Sequence, residues 1–404
     1  MKVIVISSKY PPEYSGSGGR AHNTYLRLRE KYDVKFRVIT SSEIYKESSK
    51  YQIDSVDVKR ISSKSWNGIK GANEDNLLTR FRSILVRRGR YIREFVPVFL
   101  NLLRNKRETD VLHVFGNVTV TQAAIAFAKV FNVPIIIELT SDRATPFFAE
   151  PRVVTWFWGH GLPKNSKIVC ISERLRRMCE SFGVSENVWS RPNPIDVSRF
   201  RLRHSEKHVL KSNNTKFTEA SILICFIGKI IPSKNQKLLV EILKFLPERY
   251  VLFLGGPLET EGVNAFRDVK YFKELKDMVR VNRLAKRVQI KPSFIHNPED
   301  YIGMSDVYVS ASKSEGLGTT ILEAFCCGVP VVALRIDGIT DQFISNNING
   351  YEVTENPREF ADSIQLACKI PSDNLMKFRQ NLVEELSTSK IDAKYVSLLA
   401  GKTD

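Results

Sequence analysis

Apolar residues in this chain fall into short dense runs, separated by longer stretches in which they recur every three or four positions. The first half carries 3-VIVI-6, 34-VKFRVI-39, 111-VLHVF-115, 134-PIIIEL-139 and 167-KIVCI-171. The second carries 222-ILICFIG-228, 251-VLFLGG-256, 288-VQIK-291, 307-VYVS-310 and 330-PVVAL-334. Runs this short and this continuous suit strands buried on both faces, as parallel sheets covered by helices require. Helical patterns intervene, for example 121-TQAAIAFAKVF-131 and 234-KNQKLLVEILKFL-246. The repeated strand–helix order predicts an α/β chain of two Rossmann-like, doubly wound parallel-sheet domains facing a cleft.

The 404 residues are too many for one ordinary core and fit two domains of about 200 residues each. Residues 201–221, RLRHSEKHVLKSNNTKFTEAS, are polar, basic and weakly periodic. They read as a linker between an N-terminal domain, 1–200, and a C-terminal domain, 222–404. The last helical pattern, about 374–400, is a candidate for crossing back onto the N-terminal domain.

Three loops carry chemistry. The first is 315-EGLGTTILEAFCCGVPVVA-333, where Glu315 and Glu323 stand with seven residues between them around a loop that enters a helix. Gly316 and Gly318 let backbone approach a ligand, Leu317 lies between them, and the amides of Gly318, Thr319 and Thr320 form an anion seat at the helix start. Glu323 is one turn beyond Thr319 on the same face, about 6 Å along the axis, where a carboxylate suits the two hydroxyls of a ribose. The second loop is 226-FIGKIIPSKNQKLL-239. Lys229 and Lys234 follow a strand end, the place where open α/β sheets bind ligands, and two ammonium groups there suit a diphosphate. The third is 10-YPPEYSGSGGRAHN-23, whose Gly16, Gly18 and Gly19 admit phosphate close to a helix beginning near Arg20. Its spacing is not the dinucleotide fingerprint. Gly255-Gly256-Pro257, Ser312, Asp337-Gly338 and Asn349-Gly350 mark further strand ends and turns.

Together these features resemble glycosyltransferase family 4, the retaining group with the GT-B fold, from the first strand to roughly residue 353. The resemblance rests on Glu315 and Glu323 with the following 323-EAFCCGVPVV-332, on Lys229 and Lys234, on 193-NPID-196 with Phe200, and on 110-DVLH-113. It implies a nucleotide-diphosphate sugar as donor and no other cofactor. Glu323 would hold the ribose and Glu315 the transferred sugar. Lys229, Lys234 and the amides of Gly318 to Thr320 would hold the diphosphate, and Gly18 and Gly19 would complete the donor site. Glu315, Lys229 and Lys234 are its expected catalytic residues. Retention by same-face attack needs no dedicated base, and the chain contains no DxD motif, so no metal is expected. Two departures stand out. Lys229 replaces the usual arginine and lacks its bidentate fork. After 134-PIIIEL-139 the chain continues Thr140-Ser141-Asp142, so no histidine role is carried onto that segment.

Net charge, +17, adds an attraction to anions that composition alone does not assign to nucleic acid, membrane or phosphorylated small molecules. No nucleic-acid module is recognisable, and none is expected as partner. The segment 76–107, NLLTRFRSILVRRGRYIREFVPVFLNLLRNKR, sets basic residues against one acid, Glu94, beside apolar residues at helical spacing. It reads as a basic amphipathic helix for an anionic membrane surface, broken or kinked at Pro97, with a glycan or lipid-linked acceptor nearby. The aromatic run 156-WFWGHG-161 is expected to be buried. Met1-Lys2 precedes only four apolar residues, and no run reaches a membrane span, so the expected location is cytoplasmic, peripheral at the inner face of the membrane. The six cysteines have no metal-ligand spacing and read as reduced thiols. The competing function is a non-catalytic sugar-nucleotide or glycan-binding protein on the same fold.

Overall fold

The alternation of buried strands with covering helices is realised twice. The computed structural model describes residues 1–13, 15–42, 44–45, 47–62, 92–116, 118–140, 162–261 and 264–401. The first part of the basic segment, 76–91, and the aromatic run 156–161 lie outside them. The chain divides into two units. One holds Met1–Ile171, Leu175–Arg191 and the stretch from Asp392 onward; the other holds Ser172–Arg174 and Pro192–Ile391.

The first unit contains β1 (Lys2–Ser7), β2 (Lys35–Ser42), β3 (Ser49–Ile53), β4 (Val56–Ser62), β5 (Val111–Phe115), β6 (Ile135–Leu139), β7 (Ser166–Cys170) and β8 (Val188–Ser190). They form one sheet ordered β3-β4-β2-β1-β5-β6-β7-β8. Only the β3–β4 hairpin is antiparallel. It lies at an edge, where β3 holds no buried residue and β4 alternates over its first five, so the hairpin carries no dense apolar run. Helices Gly16–Tyr32 and Thr119–Phe131 cover the sheet, and Val5, Ile6, Val114 and Ile125 are enclosed between them and the strands. Residues 92–104 are helical straight through Pro97. Of the break or kink expected at Pro97, the break does not occur: a proline there removes one backbone donor and the flanking turns persist. The last helix, Thr388–Leu399, belongs to this unit from Asp392 onward. Asp392 is fully buried and takes both Nε (2.8 Å) and Nη2 (2.9 Å) of Arg27.

The second unit contains β9 (Ile222–Ile227), β10 (Tyr250–Gly255), β11 (Val288–Lys291), β12 (Val307–Ser310), β13 (Val331–Leu334) and β14 (Gly350–Val353). All pair in parallel, in the order β11-β10-β9-β12-β13-β14. The direction of winding reverses between β9 and β12, and a doubly wound sheet opens a crevice at that point. Leu239, Val240, Leu252, Leu275, Val309 and Phe360 are among the residues of its core. The segment expected as a bare linker, 201–221, contains the helix Lys207–Asn214 and lies wholly in this unit. Lys211 explains how so polar a segment folds. Its buried ammonium donates to the carbonyls of Glu219 (3.2 Å) and Ser221.

Candidate active site

The crevice between β9 and β12 gathers the residues singled out in two of the three loops. Beyond β9 the chain turns at Gly228. The buried Gln236 donates to the carbonyl of Lys229 (2.7 Å) and so fixes the loop that carries both lysines. Pro232–Lys234 form one 3-10 turn, ended by Asn235 in the left-handed region (φ 53°). The amide of Lys313 donates to the carbonyl of Ser233 (2.9 Å), which docks the loop after β12 onto the lysine loop. The result is an ion pair between Lys234 and Glu315 across the switch point, 81 residues apart in sequence. Lys229 pairs with Glu259, a residue that motif reading missed. Its available signal was an acid just beyond the Gly255-Gly256-Pro257 strand end.

Close approach of backbones makes that strand end possible. Gly256 has φ +147°, and a Cβ there would lie 2.0 Å from the carbonyl oxygen of Gly228. The amide of Ile230 donates to the carbonyl of Pro257 (3.1 Å), tying the Lys229 loop to the Glu259 loop.

Gly318 starts the helix Thr319–Cys326 in the left-handed region, with φ +75°. Such a helix start leaves its first amides pointing outward. Thr319 accepts a hydrogen bond from the Asn193 side chain (2.8 Å), so the 193-NPID-196 segment braces the same mouth. Gly316, Thr319 and Thr320 are partly exposed, whereas Leu317 is buried and offers only its backbone. Glu323 keeps part of its surface open, yet burial raises its carboxyl to about 7, with Arg199 opposing the rise and Glu299 adding to it. Arg199 itself pairs with Glu299 at 2.8 Å. Beyond β11, the half-exposed Phe294 meets His296 edge to face (4.8 Å).

The third loop belongs to the other unit, at the end of β1. Its glycines differ in role. Gly18 is a packing glycine, since a Cβ would lie 2.1 Å from the carbonyl oxygen of Lys9, and its amide is taken by the Ser15 side chain (3.2 Å). The amide of Gly19 bonds the Ser15 carbonyl (2.9 Å) inside the helix. A Cβ at Gly16 or Gly19 would meet nothing within 4 Å. The β3–β4 hairpin grips the same loop. Tyr51 donates to the carbonyl of Pro11 (2.7 Å), and Arg60 lies between the rings of Tyr45 and Tyr51 with Glu13 at 3.5 Å.

Beside this loop lies a buried charged cluster that sequence reading did not foresee. Glu138, at the end of β6, is fully enclosed and receives Arg20 Nε (3.0 Å), Arg191 Nη2 (3.3 Å) and the Tyr395 hydroxyl. The two guanidinium groups hold its carboxyl far below the usual range despite burial. His113, of the 110-DVLH-113 segment, is also buried. It bonds the Tyr25 hydroxyl (2.8 Å), and burial lowers its pKa.

Residues 210–385 match the family model of glycosyl transferases group 1. Over 178 residues the chain is 26% identical to the phosphatidylinositol N-acetylglucosaminyltransferase GPI3 subunit of Saccharomyces cerevisiae, covering 43% of this chain and 37% of that one. It is 26% identical over 236 residues to the lipopolysaccharide core biosynthesis glycosyltransferase LpsE of Rhizobium meliloti, covering 56% and 64%. The chain thus spans less than two thirds of the length of these relatives. In fold it is similar to Anabaena HepE, solved in complex with UDP (TM-score 0.73, 15% identity, 99% of this chain and 100% of that one). It is also similar to sucrose-phosphate synthase from Thermosynechococcus elongatus (TM-score 0.74, 14% identity, 99% and 100%).

Proposed function

We propose, from the match of residues 210–385 to the glycosyl transferases group 1 and from two largely parallel α/β sheets of the GT-B kind, that this chain is a retaining glycosyltransferase. It moves a hexose from a nucleotide-diphosphate sugar to a glycan or lipid-linked acceptor in cell-surface polysaccharide or glycolipid synthesis. The observation that carries this reading is the Lys234–Glu315 pair spanning the β9/β12 switch point, with Lys229 on the same loop and the Gly318 helix mouth beside it. That grouping supplies a diphosphate seat with an acid at its sugar side.

In this reading the diphosphate lies against Lys229, Lys234 and the amides of Gly318, Thr319 and Thr320, and Glu323 accepts from the ribose hydroxyls. Gly316 and Leu317 line the seat with backbone. Gly18 and Gly19 stand on the first unit, where Gly18 holds the loop after β1 in shape and a Cβ at Gly19 would meet nothing within 4 Å. The bond from the anomeric carbon to the phosphate oxygen breaks as the acceptor oxygen bonds that carbon on the same face. The acceptor's proton passes to the departing phosphate, so no separate base is required. Charge develops on the leaving group, and the two lysines are placed to offset it. Removing one such donor costs about 2.7–4 kcal/mol. No metal takes part in this scheme. Incubation with UDP-sugars, GDP-sugars and ADP-sugars, with and without glycan acceptors, followed by NMR of the product's anomeric configuration, tests it. Donor binding without transfer or hydrolysis would instead favour the non-catalytic reading.

The basic segment is the proposed membrane contact. On the helix 92–104, Ile92, Val96, Leu100 and Leu103 are 61%, 43%, 45% and 44% exposed. At about 100° per residue they share an arc of about 80°, and Arg93 and Arg104 border it. Phe95, Val98 and Leu102 bury a separate face, and Glu94 is buried, so the outer face is apolar with a basic rim. This pattern suits the boundary of an anionic bilayer at the inner membrane face. No described helix is long and apolar enough to cross a membrane. Flotation with anionic vesicles at low salt should carry the protein up, and Leu100→Glu should reduce the bound fraction severalfold. Absence of wild-type flotation would rule the contact out.

A further inference from the structure

The seat described above contains one carboxylate that the proposed chemistry does not use. Glu259 stands beyond β10 and is ion-paired with Lys229, while Lys234 is paired with Glu315. Two cations and two anions therefore meet where the diphosphate is to bind, and Glu315 alone has a role toward the sugar. The hydrogen bond from Ile230 to the Pro257 carbonyl (3.1 Å) and the backbone approach of Gly256 to Gly228 hold the Glu259 loop beside Lys229. The pair is therefore built by backbone contacts as well as by charge. Both side chains keep about a quarter of their surface exposed, 24% for Lys229 and 26% for Glu259, so an incoming anion can exchange with the carboxylate.

We propose that Glu259 is a specificity-determining counter-ion that the donor diphosphate displaces from Lys229 and that recaptures Lys229 when the nucleoside diphosphate leaves. The proposal rests on the reading of Lys229 as a diphosphate ligand. A diphosphate offers more than one negative charge to Lys229 and Lys234 together, whereas a monoanion offers little beyond what the carboxylate already supplies. Glu259 thus penalises weakly charged anions and speeds product release.

Calorimetric titration of wild type and Glu259→Gln with UDP, GDP, ADP and inorganic pyrophosphate, each nucleotide against its parent nucleoside, tests this. The variant should bind the diphosphates and pyrophosphate about fivefold more tightly, as expected for loss of a partly exposed competing ion pair. Nucleoside affinity should not move, and the gain should shrink at high salt. On a Lys229→Met background the same substitution should change nothing. Unchanged or weaker diphosphate binding by a Glu259→Gln protein with wild-type thermal unfolding overturns the proposal. Equal tightening of nucleosides does so too, since that is a structural effect. If wild type binds no diphosphate, it is the glycosyltransferase reading that fails.

Discussion

Glu323 gives the sharpest test of the proposed donor site, because its titration and its role pull in opposite directions. Burial raises its carboxyl to about 7, with Glu299 adding and Arg199 resisting. A ribose hydroxyl donates to the carboxylate form, so donor affinity should be full above that value and lost as pH falls through it. With one group titrating at about 7, the charged fraction drops from about 91% at pH 8 to about 9% at pH 6, about a tenfold loss of affinity. The probe should be an intact UDP-sugar or ADP-sugar, whose diphosphate is esterified at both ends and lacks the secondary ionisation that a terminal phosphate shows near pH 6. Glu323→Gln replaces a charge-assisted hydrogen bond with a neutral one. That difference of about 1–2 kcal/mol is about 5–30-fold in Kd at pH 8, with a flat pH profile. The stability sign runs the other way. The native state holds this proton more tightly than the unfolded chain, so the stabilisation is present below the unfolded value and lost as pH rises through 7. Glu323→Gln should therefore raise Tm at pH 8 while weakening the donor, which separates a lost ligand contact from a damaged fold. A wild-type Kd that does not change between pH 6 and pH 8, or a Gln variant that keeps the slope, would refute the assignment.

Two further substitutions probe the same unit. Lys234→Ala should lower kcat by about 10²–10³ with little effect on thermal unfolding, because it removes leaving-group stabilisation and unpairs Glu315; near-normal steady-state turnover would mean the seat is misplaced. Gly256→Ala places a methyl 2.0 Å from the Gly228 carbonyl oxygen at a φ that side chains rarely adopt, and should cost about 3 kcal/mol or more, read from the midpoint of urea unfolding.

All ten dense apolar runs became strands, with ends within three residues, because continuous apolar runs have few other stable settings in a covered parallel sheet. The β3–β4 hairpin, β8 and β14 were not legible: they are edge or outer strands, β3 and β8 hold no buried residue and β14 only Gly350 and Val353, so no dense run marks them. Helices such as Ala265–Val281 hid for a related reason. Phe266 is 84% exposed on it, so apolar residues appear on both faces and blur the period. Within the crevice, Glu315, Lys229 and Lys234 were readable because each follows a strand end and topology then forces those ends together. Gly18 is packed against the Lys9 carbonyl, and a glycine required for packing and a glycine required for ligand approach look alike in sequence. The Glu138 cluster draws Arg20, Arg191 and Tyr395 from 118, 53 and 257 residues away, and no local pattern records such meetings.

The net charge illustrates the same difference in scale. A balance of +17 points to an anionic partner, and the candidate diphosphate seat is where such a charge would be expected to concentrate. Yet Lys229 and Lys234 are each matched there by a carboxylate, so the unliganded seat is close to neutral. The unmatched excess lies elsewhere, for instance along the exposed rim of Arg93, Arg104, Lys106 and Arg107. Long-range attraction and local recognition therefore draw on different residues. The surface excess raises the concentration of any anion near the protein and is screened within about 10 Å in ordinary salt. Choice among anions falls to the seat, where a ligand must outbid carboxylates already in place, and a diphosphate can do that at two lysines at once.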